Sequence, residues 1–152
     1  MRRLPAVLLL LALAAACRKE TPEAAIRRVL DDSVDALEKQ DVKRATSHLS
    51  SQYQDMMGRT PQQLSGLVMF ALRRGPVYIA LRETEVDVRG DIASVKTVAY
   101  ALQRKPEIKQ LADVIPQHAD RFDLRLILAL EGSTWRVRAI DGDNVSPSWL
   151  RE

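Results

Sequence analysis

Residues 85–96, EVDVRGDIASVK, decide the fold. Gly90 and Asp91 form a two-residue turn, and apolar and polar residues alternate on both sides of it, which predicts a β-hairpin. The hairpin register places like residues opposite each other across the two strands. The predicted pairs are Val88 with Ala93, Val86 with Val95 and, on the other face, Glu85 with Lys96. One face of this hairpin is apolar, and we expect it to cover a core.

A second hairpin is predicted nearer the carboxyl end, with its turn at Gly132 and Ser133. Its predicted pairs are Leu130 with Trp135, Leu128 with Val137 and Leu126 with Ala139. The connection between the two hairpins, residues 104–120, is too long for a featureless loop. The apolar spacing of residues 107–115 predicts a short amphipathic helix within that connection.

Helices are predicted ahead of the first hairpin. Thr21 followed by Pro22 is typical of a helix start, and the apolar residues after it recur at helical spacing. Asp41 is expected to cap a short second helix. Thr60 opens a third helix, which ends at Gly75. Helices followed by long antiparallel strands predict an α+β fold, with the N-terminal helices packed on one face of the sheet.

The charge pattern argues against a binding role for the first helix and against nucleic acid as a partner. Three pairs at i,i+4 spacing predict a solvated helix face: Arg27 with Asp31, Arg28 with Asp32 and Asp35 with Lys39. The 152 residues are 46% hydrophobic and 28% charged, which fits one globular domain. The chain has 23 basic and 20 acidic residues, a net charge of +3. Two of the basic residues are Arg2 and Arg3, whose removal would leave +1, so the sequence gives no reason to expect nucleic acid binding.

The N-terminus has the layout of an export leader. Arg2 and Arg3 precede an apolar run over residues 4–13, and three alanines lead to Cys17, the only cysteine of the chain. This pattern resembles the bacterial lipoprotein signal, with Ala14 at the place where leucine is usual. The resemblance implies a signal peptide over residues 1–16, a lipid on the Cys17 thiol and a short tether over residues 17–21. The alternative is a secreted protein that is cut near the same point and keeps a free thiol.

The same resemblance bears on location. In lipoproteins an aspartate after the cysteine favours the inner membrane, whereas this chain has Arg18. We therefore expect a lipid-anchored protein of the bacterial cell envelope, in the outer membrane and facing the periplasm.

The order of elements and two short motifs resemble the nuclear-transport-factor-two-like (NTF2-like) superfamily. The motifs are Gly-Asp-x-Ala-x-Val at residues 90–95 and Thr-Trp-Arg-Val at residues 134–137. The resemblance covers residues 22–141 and leaves residues 142–152 as a C-terminal tail. It implies a cone-shaped α+β roll with a curved, mostly antiparallel sheet. Members with this fold include ketosteroid isomerases and SnoaL-like polyketide cyclases.

The residues themselves assign no catalytic group, cofactor or metal. The two histidines, His48 and His118, are far apart in sequence, and no phosphate-cradling or nucleophile motif occurs. Isomerase-like relatives carry a polar pair inside the cone, and Tyr53 and Asp55 are the nearest candidates for such a pair. An isomerase-like or cyclase-like enzyme therefore remains an alternative.

The outer half of the first hairpin predicts a ligand pocket. If the register continues without a bulge, the core face extends through Arg82, Thr84, Thr97 and Ala99, and its threonines and alanines are small enough to leave space. Tyr53 is expected to join this pocket, and Arg82 would suit an anionic headgroup or a carboxylate.

The opposite face of the same half-hairpin predicts an interface. Leu81, Val98 and Tyr100 would form an exposed apolar patch there. The cover could be a second copy of the chain, another envelope protein, or residues 107–115. A β-bulge near Thr84 and Thr97 is the competing interpretation, because it would turn the outer half over and remove both pocket and patch.

Together these patterns predict a lipid-anchored envelope protein that is not an enzyme. It is expected to bind a small apolar or amphiphilic ligand or a protein partner. A structural or accessory lipoprotein that acts through its sheet face is the further alternative.

Overall fold

The computed structural model describes residues 19–103 and 119–143. Cys17 with its leader, the predicted amphipathic segment, His118 and residues 144–152 lie outside the described residues, whereas the first two residues of the predicted C-terminal tail, Gly142 and Asp143, belong to β4. In chain order the elements are α1 (Pro22–Glu38), α2 (Val42–Thr46), α3 (Pro61–Arg73), β1 (Tyr78–Arg89), β2 (Ile92–Leu102), β3 (Asp120–Glu131) and β4 (Thr134–Asp143). The strands form one antiparallel sheet in the order β1-β2-β3-β4, and the helices pack on one face of it. The predicted α+β arrangement of helices on a curved antiparallel sheet is confirmed.

The helices begin at the predicted caps. The Thr21 hydroxyl accepts a hydrogen bond from the amide of Ala24 at 3.2 Å, and Asp41 accepts one from the amide of Arg44 at 3.0 Å. Thr60 and Gln63 form a reciprocal capping box at the start of α3. Within the described ranges, no helix combines the length and the apolar content that a membrane span requires.

The first hairpin has the predicted register near its turn and a bulge farther out. Val88 lies opposite Ala93 and Val86 opposite Val95, as predicted. Beyond Glu85 the register shifts, so that two β1 residues oppose the single residue Thr97. Glu83, within the bulge, has a positive φ of 51°. The competing interpretation of the outer hairpin is therefore correct for β1, while β2 continues without interruption.

The bulge reverses which face of the sheet the side chains occupy in the outer half of β1, residues 78–82, and leaves β2 unchanged. Ile79 and Leu81 pack toward the core beside Ala99, whereas Arg82 is exposed. Two predictions are corrected by this result. Arg82 does not share a face with Ala99, and Leu81 does not share one with Val98, because one extra residue reverses the side-chain alternation of β1.

The second hairpin also contains an irregularity. Leu130 pairs with Trp135 and Leu128 with Val137, as predicted, but Leu126 pairs with Ile140 instead of Ala139. The register shifts between Ile127 and Leu128, where β4 contributes one additional residue. The larger Ile140 side chain thereby joins the core face.

The core lies between α1 and the inner face of the sheet. Ile26, Val95 and Leu128 are fully buried within it. Burying an aliphatic side chain of this size contributes about 1.5–3 kcal/mol. The helices and the sheet therefore stabilise each other mainly through this shared apolar layer.

Candidate functional site

A cavity of about 180 Å³ lies inside the fold, between the helices and the sheet. Its apolar walls come from both layers: Leu30, Val34 and Leu37 of α1, Leu64 and Val68 of α3, and Ile79, Leu81, Leu126 and Ile140 of the sheet. The remaining described lining includes the polar residues Ser33, Thr46, His48 and Thr97. A site with these walls favours an apolar molecule with few polar atoms.

The β1 bulge shapes one wall of this cavity. It directs Leu81 inward, and Thr97 closes the gap that the bulge leaves. The Thr97 hydroxyl donates to the carbonyl of Arg82 at 3.0 Å and lies 2.8 Å from the hydroxyl of Thr84. Because strand atoms already use this hydroxyl, the wall contributes shape more than hydrogen-bonding capacity.

The structure does not bring the predicted pocket residues together. Thr97 lines the cavity, whereas Tyr53 is buried in the main core and Ala99 packs with Phe122 in a second cluster. Thr84 reaches the site only through Thr97, and Arg82 lies on the other side of β1. The permanent charge expected at the pocket wall is therefore absent from the described lining.

The predicted interface is also divided. Val98 and Tyr100 lie on the outer face of β2, where Val98 is buried and Tyr100 half-buried. Leu81 lines the cavity on the inner side. The three residues therefore do not form one exposed patch.

Tyr53 and Asp55 form a buried pair next to Arg59. The Tyr53 hydroxyl donates to Asp55 Oδ2 at 3.2 Å, and Arg59 Nε donates to the same oxygen at 2.5 Å. The amides of Met57 and Arg59 donate to Oδ1 at 2.9 and 3.0 Å. Burial acts to raise the pKa of Asp55, but the hydrogen bonds and charge of Arg59 outweigh it and hold this pKa below its usual range.

The environment of this pair also changes the pKa of Tyr53. Burial, followed by the charge of Asp55, raises the pKa of Tyr53, so the phenol stays protonated and donates a hydrogen bond to the carboxylate. Both Asp55 oxygens are already engaged, and neither Tyr53 nor Asp55 lines the cavity. This arrangement fixes the turn before α3 and does not supply the polar pair expected inside the cone.

A second polar cluster, centred on Asp32, borders the cavity. His48 Nε2 lies 2.7 Å from Asp32 Oδ2, and Arg44 Nε donates to Asp32 Oδ1 at 2.9 Å. Arg44 also donates to Asp35 at 2.6 Å. The hydrogen bonds from Arg44, and next those from His48, lower the pKa of Asp32 to about 2. Asp32 is therefore ionised at neutral pH.

Sequence spacing did not reveal this cluster. Asp32 was expected to pair with Arg28 on a solvated face, but Arg28 pairs with Glu20 at 2.8 Å. Arg27 pairs with Glu23 at 2.9 Å instead of Asp31. Only the predicted pair of Asp35 with Lys39 is found, at 2.8 Å. The partners of Asp32 are 12 and 16 residues away, beyond the reach of a pattern within one helix.

His48 lies at the boundary between the cavity and the outer surface. Its backbone carbonyl accepts from the amide of Val137 at 2.8 Å, which ties this residue to β4. Its side chain lines the cavity and also an outer groove of about 620 Å³ beside Trp135 at the start of β4. Of the described residues that line the cavity, His48 is the one with an ionisable side chain.

The described parts of the chain offer no cluster for a metal. No group of three or more His, Cys, Asp or Glu with ligand geometry occurs in residues 19–103 and 119–143.

Comparison with known proteins places the fold. No known family profile and no curated protein matches the chain. An NTF2-like protein of unknown function from Pseudomonas putida matches over 81% of this chain and 87% of its own, at 13% identity and a TM-score of 0.63. An NTF2-like protein from Streptomyces avermitilis, for which a dehydratase activity has been suggested, matches over 79% and 95%, at 13% identity and a TM-score of 0.62.

A third match is part of a larger protein. Bd1075 of Bdellovibrio bacteriovorus matches over 78% of this chain at 13% identity and a TM-score of 0.63. The matched region is 40% of the length of Bd1075. At these identities the likeness concerns the fold alone, and the α+β arrangement of this chain is consistent with that of the NTF2-like proteins it matches.

Proposed function

We propose that this protein is a lipid-anchored envelope protein that binds a small apolar or amphiphilic molecule in its cavity and does not transform it. The composition of the cavity wall carries the proposal. Its described walls combine aliphatic side chains from the helices and the sheet with one ionisable group, His48. Catalysis by a polar pair would need a second ionisable group facing the ligand.

The size of the cavity limits the ligand. A volume of about 180 Å³ equals that of roughly six water molecules at ~30 Å³ each in the liquid. An apolar cavity of about 150 Å³ is known to accept benzene. The expected ligand is therefore a small ring or a short acyl chain, or one end of a longer amphiphile.

An amphiphile has a natural orientation in this site. Its apolar end would occupy the space between Val68 and Leu81, and its polar end would lie at His48, where the cavity borders the outer groove. The neighbouring Asp32 holds the imidazole through Nε2. His48 can then present its other ring nitrogen to a polar group.

Calorimetric titration with benzene, naphthalene and straight-chain carboxylates of increasing length tests the proposal. We expect binding of benzene and of short carboxylates, and weaker binding of naphthalene than of benzene. The control is Ala45→Leu, which fills space at the cavity wall and should abolish binding. If no probe binds the parent chain, or if Ala45→Leu binds equally well, the cavity is not a ligand site. If the probes do bind, native mass spectrometry of protein extracted from its own membrane would identify the natural ligand.

The anchor is tested separately. Radiolabelled palmitate should enter the parent chain and not the Cys17→Ser variant. Cell fractionation should place the parent in the outer membrane, whereas the variant should leave the membrane fraction. Palmitate incorporation that persists in Cys17→Ser would refute lipidation at this residue without affecting the cavity.

A partner-binding role is the accessory alternative to ligand binding. The outer sheet face retains Val98 and Tyr100, but Leu81 no longer contributes to it. Light scattering over a range of protein concentrations would show a dimer if two copies meet through this face. A Tyr100→Glu variant should then be monomeric.

One observation favours an enzyme as the second candidate function. Asp32 binds His48 Nε2, so a neutral imidazole that donates from Nε2 would keep Nδ1 as a proton acceptor. Such a base could remove a proton from carbon next to a ligand carbonyl and return it to the same or a neighbouring atom. Dehydration next to a carbonyl also begins with removal of such a proton, although it ends with loss of water, and a dehydratase activity has been suggested for the Streptomyces avermitilis protein.

Deuterium exchange distinguishes the enzyme from the binding protein. Cyclohexanone in D₂O should lose its α-proton NMR signal at an accelerated rate if His48 acts as a base. His48→Gln should reduce such an acceleration by about 10²–10⁴-fold. If exchange is no faster with the parent chain than with His48→Gln, this alternative is wrong.

A further inference from the structure

Exposed large apolar side chains concentrate on α3 and the turn before it. Met56 and Met57 are 86% and 73% exposed, and Phe70 is 51% exposed. Leu67 and Met69 are also exposed. We call these five residues the α3 patch. Among the described residues, Ile92 is the other exposed large apolar side chain.

The chain segment that carries the α3 patch is basic, although two carboxylates lie beside Met56: Asp55 precedes it and pairs with Arg59, and Asp141 accepts from the Met56 amide. Residues 56–82 contain four arginines and no aspartate or glutamate, in a chain with 20 acidic residues. Arg73 is exposed at the end of α3, and the Arg74 guanidinium lies 5.5 Å from the centre of the Phe70 ring. The patch therefore combines apolar side chains with cations at its edge.

This combination matches an anionic lipid surface. A helix that lies in the membrane interface presents aromatic and aliphatic groups to the acyl boundary and basic groups to the phosphates. The thirteen residues of α3 extend about 20 Å, enough to lie along a bilayer surface. An acidic protein partner would suit the arginines, but it would leave the methionines and Phe70 without apolar contacts.

We propose that the α3 patch docks on an anionic phospholipid surface, with Phe70 and Leu67 at the acyl boundary and Arg73 at the phosphates. Docking would hold the domain in one orientation on the membrane. This proposal goes beyond ligand binding and does not depend on it, because the patch residues Met56, Met57 and Phe70 do not line the cavity.

Tryptophan quenching in vesicles tests the docking. The full chain carrying Phe70→Trp is reconstituted in phosphatidylcholine vesicles with and without phosphatidylglycerol, using acyl chains that carry bromine as a quencher. Ile92→Trp is the matched control, since Ile92 is 45% exposed but lies at the β1–β2 turn. The parent chain supplies the signal of the natural tryptophans. We expect quenching of Phe70→Trp in vesicles with phosphatidylglycerol, and no added quenching of Ile92→Trp.

A charge variant adds an independent measurement. Arg73→Gln should lower the ratio of docked to free α3 patch roughly fivefold, as expected for one basic residue at an anionic surface. Lys96→Gln, which removes an exposed cation from β2, should leave this ratio unchanged.

Two results would overturn the docking. The first is equal quenching of the Phe70→Trp and Ile92→Trp variants in anionic vesicles. The second is protection of Phe70→Trp from aqueous iodide in the absence of vesicles, rising with protein concentration, because a second copy of the chain would then cover the patch. Neither result bears on ligand binding in the cavity.

Discussion

The stability of an Ala45→Leu variant tests directly whether the cavity between the helices and the sheet exists in solution. Ala45 belongs to α2 and lines the cavity, so a larger side chain has room to extend into it. The substitution adds three carbon groups, and each buried methylene contributes ~0.8 kcal/mol, for a sum of about 2.4 kcal/mol. Loss of leucine rotamer freedom costs ~0.5–1 kcal/mol. The free energy of unfolding should therefore rise by about 1.5 kcal/mol.

Ala36→Leu is the matched control for this measurement. Ala36 lies in α1 with no exposed surface and does not line the cavity, so the same three carbons would meet packed atoms. Such overpacking costs typically ~1–3 kcal/mol. Urea unfolding followed by circular dichroism should place the two variants on opposite sides of the parent chain. If Ala45→Leu is destabilised as much as Ala36→Leu, the cavity does not exist in solution.

Three other predictions concern the polar cluster and the strands. In the folded chain the pKa of Asp32 is lowered to about 2, below the ~3.9 of an unfolded chain, so its stabilising effect is complete above about pH 4 and is lost as the pH falls toward 2. Urea unfolding across this pH range should therefore show a smaller fall in the unfolding free energy for Asp32→Asn than for the parent chain. An equal fall in both would contradict the reasoning. Thr97→Val removes a buried hydroxyl with two strand partners and should lower the unfolding free energy by about 1–3 kcal/mol, whereas Thr84→Val should cost less; the reverse order would argue against this role for Thr97. A Cβ on Gly142 would lie 2.8 Å from the carbonyl oxygen of Asp123, so Gly142→Ala should cost about 1–3 kcal/mol in the same assay, and a neutral result would mean that β4 shifts freely.

Local patterns predicted the elements well. Each helix begins at a threonine or aspartate whose side chain accepts a backbone hydrogen bond three residues on. Both hairpins turn at the predicted glycines, and Val86 and Leu128 have their predicted partners. These features depend on neighbours within a few residues, so sequence spacing is sufficient to predict them.

The candidate site was predicted poorly, and the cause lies in its long-range contacts. One additional residue in β1 reversed the positions of Leu81 and Arg82 relative to the core. Asp32 found its partners, Arg44 and His48, in a different part of the chain. Neither result follows from the alternation or spacing of side chains within one element.

The sequence by itself determined the caps, the turns and the apolar faces, because each is decided by the chemistry of adjacent residues. Only the tertiary structure decided where the cavity lies, since its walls come from three helices and four strands that meet after folding. The bulge near Thr97 illustrates the physical reason. Because side chains alternate between the two faces of a strand, one extra residue moves every side chain beyond it to the opposite face of the sheet.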